Sequence, residues 1–222
     1  SVLLGDYLFT HAFYLASTTE STLACRIIGE ATNVVCAGEL RQVRSRGNFE
    51  LSEEAYFDII NAKTAKLCEC SCRLGAHYAD AADEDVMRLG EYGKHLGIAF
   101  QITDDLLDVL GDSRTTGKSL GTDLEKQKLT LPLIRTLQLA SDGERDEIIN
   151  LLTASGHREL PESGSLRERL LPYLERFEAI DYAREAARRH AELAQQQLAD
   201  LPESEARDIL AGLPAFVVSR NA

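Results

Sequence analysis

The stretch "FQITDDLLDVLGDSRTTGKSLGTD" (Phe100–Asp123) sets three carboxylates, Asp104, Asp105 and Asp108, along an apolar run, then continues with Gly-rich turns and Lys118. Upstream of it the apolar residues recur at helical spacing, which predicts one long helix over 83–110. Counting about 100° per residue from Val86, residues Gly93, Gly97, Phe100 and Asp104 fall within about 40° of one line, flanked by Leu89 and Leu96. The aspartates therefore extend an inward stripe. Relative to Asp104, Asp108 lies about 40° away, Gln101 about 60° and Asp105 about 100°.

A helix C-terminal end is the negative end of the helix dipole, and clustered inward carboxylates also repel one another and lose hydration. A bound cation relieves all three penalties. Oxygen ligands without Cys or His nearby favour Mg²⁺, or Mn²⁺, over zinc. The plain alternative is a solvated acidic helix end. Gly90, Gly93 and Gly97 share the stripe, each costing roughly 1 kcal/mol against Ala, which points to close approach of another helix or of a ligand chain. The segment Gly111–Lys128 then supplies Gly, Ser and Thr with Arg114, Lys118, Lys126 and Lys128. Flexible backbone and ammonium groups beside carboxylates suit a metal-bridged phosphate ester. The spacing of a Walker loop is absent. A second basic element is "NAKTAKLCE" (Asn61–Glu69), where Lys63 and Thr64 lie on an otherwise apolar helix; a lysine so placed either snorkels or serves a site.

The chain has 222 residues, 44% of them hydrophobic and 27% charged, enough for one large domain with a real core. A net charge of -12 argues against general nucleic-acid binding. No apolar run reaches the roughly 18 residues of a membrane span. The apolar start, Ser1–Ser17, carries Asp6 and no basic region, so it reads as a helix and not as a targeting segment. The cysteines, Cys25, Cys36, Cys68, Cys70 and Cys72, are odd in number and poorly spaced for disulfides or zinc, which implies small core thiols in a reducing, cytoplasmic compartment.

Helical periodicity prevails elsewhere too, with helices expected at about 2–17, 21–43, 52–78, 129–140, 143–154, 165–172, 176–199 and 203–219. Ser52, followed by two glutamates, reads as an N-cap, and the last helix starts near Pro202 or Ser204. No linker divides the chain, so residues 1–222 are expected to form a single all-α domain.

The run "FQITDDLLDVLGD", with "TGKSLGTDLEKQKLTLPLI" after it, resembles the second aspartate-rich motif and following loop of the trans-type (head-to-tail) isoprenyl diphosphate synthases of the polyprenyl synthase kind. "LLGDYLFTHAFYLAS", "GELRQV", "KTAKLCECSCRLGA" and "ARDILAGLPAFVVSR" agree in order, so the resemblance runs over essentially the whole chain. It implies the isoprenoid synthase fold, a mostly antiparallel helical bundle around a central cavity, commonly in a homodimer, with heteromers known. It implies a prenyltransferase that ionises an allylic diphosphate with metal assistance and joins it to isopentenyl diphosphate. On the matching positions, Asp104 resembles the principal metal ligand, and Asp105 and Asp108 supporting ones. Lys63, Lys118 and Lys128 resemble diphosphate contacts. Thr64 and Gln101 resemble polar residues near the reacting carbons, and the apolar product is expected to associate with membrane.

One departure is large. The family's first aspartate-rich motif, DDxxD, does not occur; "DAADED" (Asp80–Asp85) lies elsewhere, on an interhelical turn. In the family that motif precedes the "GDYL" segment, here Gly5–Leu8. The expectation is therefore a chain whose N-terminal helices are missing, which holds one of two metal clamps and is inactive or nearly so alone. A non-catalytic partner subunit of a heteromeric synthase is the competing reading.

Overall fold

The computed structural model describes residues 2–19, 21–110, 122–155 and 165–220. Residues 111–121, Lys118 among them, lie outside the described residues. Among the described residues every regular element is helical. In chain order they are α1 (Val2–Thr18), α2 (Leu23–Arg44), α3 (Glu53–Ile60), a π-helical segment (Asn61–Ala65), α4 (Lys66–Tyr78) and α5 (Asp83–Leu110). There follow α6 (Thr122–Glu125), α7 (Leu131–Leu139), α8 (Asp142–Ser155), α9 (Leu166–Arg176), α10 (Ala179–Gln196) and α11 (Glu205–Ser219).

Local chemistry sets the ends. Ser52 accepts from the Ala55 N–H and Ser204 from the Arg207 N–H, each satisfying an orphan donor of a first turn. Ser165 and Glu168 form a reciprocal capping box on α9. That helix runs through Pro172 and stops at Phe177; Glu178, at φ 50°, turns the chain into α10.

Helix α5 is the central element and packs chiefly against α4 and α10. On one side a Cβ at Gly90 would fall 2.7 Å from Arg73 Cγ, at Gly93 2.5 Å from the Cys68 carbonyl oxygen, and at Gly97 2.6 Å from Ala65 Cα. The glycine stripe is thus a helix–helix seam, and its pairs descend in one helix as they rise in the other, so the two run antiparallel. On the other side, α10 buries Ala179, Ala183 and Ala187, one per turn, near Ile98, Ile102 and Leu106, and Ala191 near Ala99. Fully burying an aliphatic side chain such as Ile102 contributes roughly 1.5–3 kcal/mol. The pairs Arg88–Asp200 and His95–His190 show that α5 and α10 are antiparallel as well.

Helix α2 crosses the π segment with equal closeness, since a Cβ at Gly38 would meet the Lys63 nitrogen at 2.8 Å. Helix α1 differs from the rest. Ala16 alone is buried in it, and Val2, Leu3, Leu4, Tyr7, Leu8 and Phe9 are exposed. The five thiols are unbonded. Cys72 borders the Gly93 seam, whereas Cys70 is buried. No helix among the described residues is long and apolar enough to cross a membrane.

Candidate active site

The C-terminal half of α5 and the π segment face each other across a short polar chain. Tyr56 of α3 donates to Asp105 Oδ2 at 2.8 Å, and Gln101 Nε2 donates to Asp105 Oδ1 at 2.8 Å. Lys128 Nζ reaches the same Oδ1 at 2.8 Å and Asp123 Oδ2 at 2.6 Å. Thr64 Oγ1 lies 2.8 Å from Gln101 Oε1.

The roles along this chain follow from one anion. An ionised carboxylate only accepts, so Gln101 must turn its NH₂ toward Asp105 and its carbonyl toward Thr64. Thr64 must then donate its hydroxyl proton to Gln101. Its oxygen lone pairs remain for whatever lies beyond. The π segment places Lys63 beside Thr64, and Lys63 Nζ donates to Gln42 Oε1 of α2 at 2.7 Å, with Glu39 at 3.7 Å.

Burial pushes the Asp105 carboxyl upward, while the Lys128 ammonium beside it pulls the other way. The Lys128 ammonium is held above its ordinary range by Asp105 and Asp123, against the opposing effect of burial. Tyr56 is raised first by burial, then by Asp105. The network is thus a buried anion satisfied by a phenol, an amide and an ammonium.

This geometry sorts the expected site residues. Asp105, taken from the sequence as a supporting metal contact about 100° off the inward stripe, is the most buried of the three aspartates, at 1% exposure, with both oxygens engaged. The reason is that α5 is covered on two sides, and Asp105 faces α3 and Lys128. Lys128, expected as a basic contact for diphosphate, has its ammonium between two carboxylates in this structure. Asp104 and Asp108 are half-buried. Asp108 Oδ2 accepts from the Asp123 N–H at 3.0 Å, which ties the end of α5 to the start of α6. Arg167 of α9 donates to the Val109 carbonyl, setting a cation at the negative end of the α5 dipole.

Sequence reasoning missed Tyr56 and Asp123. The signal for Tyr56 was a hydroxyl on the buried face of an amphipathic helix, which needs a partner. Among the described residues no group of three or more His, Cys, Asp or Glu is placed to hold a metal ion. The donor set fits a share of an oxygen-ligand site, with Asp104 and Asp108 four residues apart on α5.

The family model for polyprenyl synthetase matches residues 1–163. This chain belongs to the polyprenyl synthetase family. The octaprenyl diphosphate synthase of Haemophilus influenzae is 35% identical over the full chain, and that of Escherichia coli 33%. The polyprenyl synthetase chain spans 65% of the length of the former and 67% of the latter. Among solved structures, a Caulobacter crescentus polyprenyl synthase complexed with calcium and isoprenyl diphosphate superposes with a TM-score of 0.89 at 35% identity, covering all of this chain and 66% of that one. A decaprenyl diphosphate synthase from Rhodobacter capsulatus gives 0.87 at 32%, again over all of this chain and 66% of that one. The all-α isoprenoid synthase fold expected from the sequence is the fold observed.

Proposed function

We propose that the protein is a prenyltransferase that extends an allylic diphosphate with isopentenyl diphosphate, and that this chain supplies one wall of its active site. The observation that carries the reading is the Thr64–Gln101–Asp105 chain, whose Gln101 and Asp105 share α5 with Asp104 and Asp108, in a member of a family whose named relatives are prenyl diphosphate synthases.

Asp104 and Asp108 would hold the metal, Mg²⁺ by preference of the oxygen donors or Mn²⁺. A divalent ion there supplies positive charge against the leaving diphosphate. Lys63, half-buried beside Gln42, and Lys118 would bind diphosphate oxygens as charge-assisted donors. Thr64 would turn its lone pairs to the reacting carbons, where positive charge develops, and Gln101 would hold it in that orientation. Asp105 and Lys128 would fix Gln101 without touching substrate. The related Caulobacter protein, complexed with calcium and isoprenyl diphosphate, supports a divalent metal and a prenyl diphosphate as ligands of this family.

The exposed apolar residues of α1 fit an interface with a second copy or with a different subunit; one relative is named component 2 of a heptaprenyl diphosphate synthase. Unbonded thiols fit a cytoplasmic setting. The test is an assay of the full-length gene product with labelled isopentenyl diphosphate, an allylic primer and Mg²⁺. Prenyl extension lost on Asp104→Ala is the expected result. Wild-type rates in that variant would remove Asp104 from the site, and no extension by the parent protein would favour a non-catalytic subunit.

A further inference from the structure

A cavity of about 500 Å³ opens between α3, α5 and α10, within the range of roughly 300–1,000 Å³ typical of small-ligand sites. Its walls belong to a different side of α5 from Asp104. At 100° per residue, Ile98 on the cavity wall lies about 120° around the helix from Asp104. Neither Thr64, Gln101 nor Asp104 lines it.

The lining combines two kinds of chemistry. Phe57, Ile98, Ala186 and Leu193 form an apolar surface, with the Tyr182 ring beside it. Three carboxylates, Glu53, Asp58 and Glu185, share the cavity with one guanidinium, Arg189. Glu53 accepts from the Tyr182 hydroxyl at 2.7 Å, and Glu185 pairs with Arg188 at 2.9 Å, outside the lining set. Arg135 stacks over Tyr182 at 4.5 Å but is not a lining residue. His190 adds no charge at neutral pH: burial and the neighbouring His95, Arg189 and Lys94 push its pKa down to about 4. Its Nδ1 sits 3.0 Å from His95 Nδ1, a contact that requires one ring to donate and the other to accept. At the wall, the Asn61 Oδ1 is buried without a hydrogen-bond partner.

Carboxylates beside aromatic faces are how proteins hold organic cations, and an anionic ligand would meet an excess of negative groups here. We propose that the α3–α5–α10 cavity is a ligand site for a small organic cation with an apolar body, an amine or amidine carried on a ring or short chain. The apolar part lies on Phe57, Ile98 and Leu193, and the cationic head meets Asp58 and Glu185 at the mouth. A turn of the Asn61 side chain offers its oxygen to a ligand N–H. The site is independent of the prenyl reaction, so its test does not use that activity.

The test is calorimetric titration of the protein with benzamidine, and in parallel with phenylacetate as an anion of similar shape. The expected result is saturable 1:1 binding of benzamidine, at least tenfold tighter than phenylacetate. Asp58→Asn and Glu185→Gln, both at exposed positions, should each weaken it threefold to tenfold while the thermal midpoint stays unchanged. Ala186→Trp, which fills the cavity, should abolish it. The proposal is overturned if benzamidine does not saturate, if phenylacetate binds as well, or if the two carboxamide variants bind with parent affinity.

Discussion

The Tyr56 hydroxyl lies 2.8 Å from the Asp105 carboxylate, across 49 residues of sequence and wholly inside the protein. That bond joins α3 to α5 just before the π segment begins, so the helix bearing Thr64 is anchored to the helix bearing Gln101. Removing it by Tyr56→Phe leaves a carboxylate oxygen short of a donor and should cost about 1–2 kcal/mol. Chemical denaturation would read this as a lower midpoint at unchanged slope. An unchanged midpoint would mean that the phenol is dispensable.

Asp105→Asn keeps the shape and removes the charge. Lys128 then retains Asp123 alone in a site where it is 11% exposed. The expected loss is roughly 2–4 kcal/mol, below that of a completely stranded buried ion. Metal affinity of the full-length protein should change far less than in Asp104→Ala. The opposite order would return Asp105 to the metal.

If Thr64 presents lone pairs to developing positive charge, Thr64→Val should lower kcat by about tenfold to a hundredfold, or about 1.4–2.7 kcal/mol. KM for the allylic diphosphate should move little, and Thr64→Ser should restore most of the rate. Equal losses in both variants would point to packing of the methyl group.

Gly97→Ala is predicted to destabilise by about 1–3 kcal/mol, because the new carbon meets backbone at Ala65. Gly75→Ala is the control. Nothing lies within 4 Å of a Cβ there, so it should stabilise by about 0.5–1 kcal/mol through helix propensity alone. Thermal midpoints moving in the same direction for both would contradict the seam.

The His190 pKa falls from the ordinary 6.5 to about 4 in the fold, principally through burial. Between those values the unfolded chain binds more protons than the folded one, so stability rises with pH. It is fully present above about pH 6.5 and is lost as pH falls toward 4, by on the order of 1 kcal/mol after allowance for solvent screening. His95, also lowered by burial and by Lys94, adds to the same slope, with Glu91 opposing it. His190→Phe should flatten the dependence measured by denaturation at pH 7 and pH 5.

Much of this fold was legible because amphipathic periodicity and capping act locally. The boundaries of α5 were read at 83–110 and Ser52 was read as an N-cap, as observed. The ambiguity over the glycine stripe resolved into α4, since sequence spacing shows that a face is crowded but not by what. Pro172 was taken as a helix end; it lies inside α9, where tertiary packing of Leu170 and Leu174 outweighs the missing hydrogen bond. The ordering of the three aspartates was not legible. A helical wheel gives angles about one axis, whereas the burial of Asp105 depends on Tyr56 and Lys128, brought from 49 and 23 residues away. The π segment was hidden for a related reason, because counting 100° per residue assumes the regular turn that Asn61–Ala65 does not make.

That irregular turn acts as a phase correction. Tyr56 and Thr64 are eight residues apart and so would point about 80° away from each other on an unbroken α-helix. A π turn absorbs one extra residue, which makes the effective spacing seven and brings them within about 20°. Both can then reach α5, Tyr56 at Asp105 and Thr64 at Gln101, one turn apart. The extra residue is therefore a timing element in the chain: a regular α-helix over the same eight-residue spacing would turn Thr64 about 80° from the Tyr56 direction and off Gln101, and the site would lose its register.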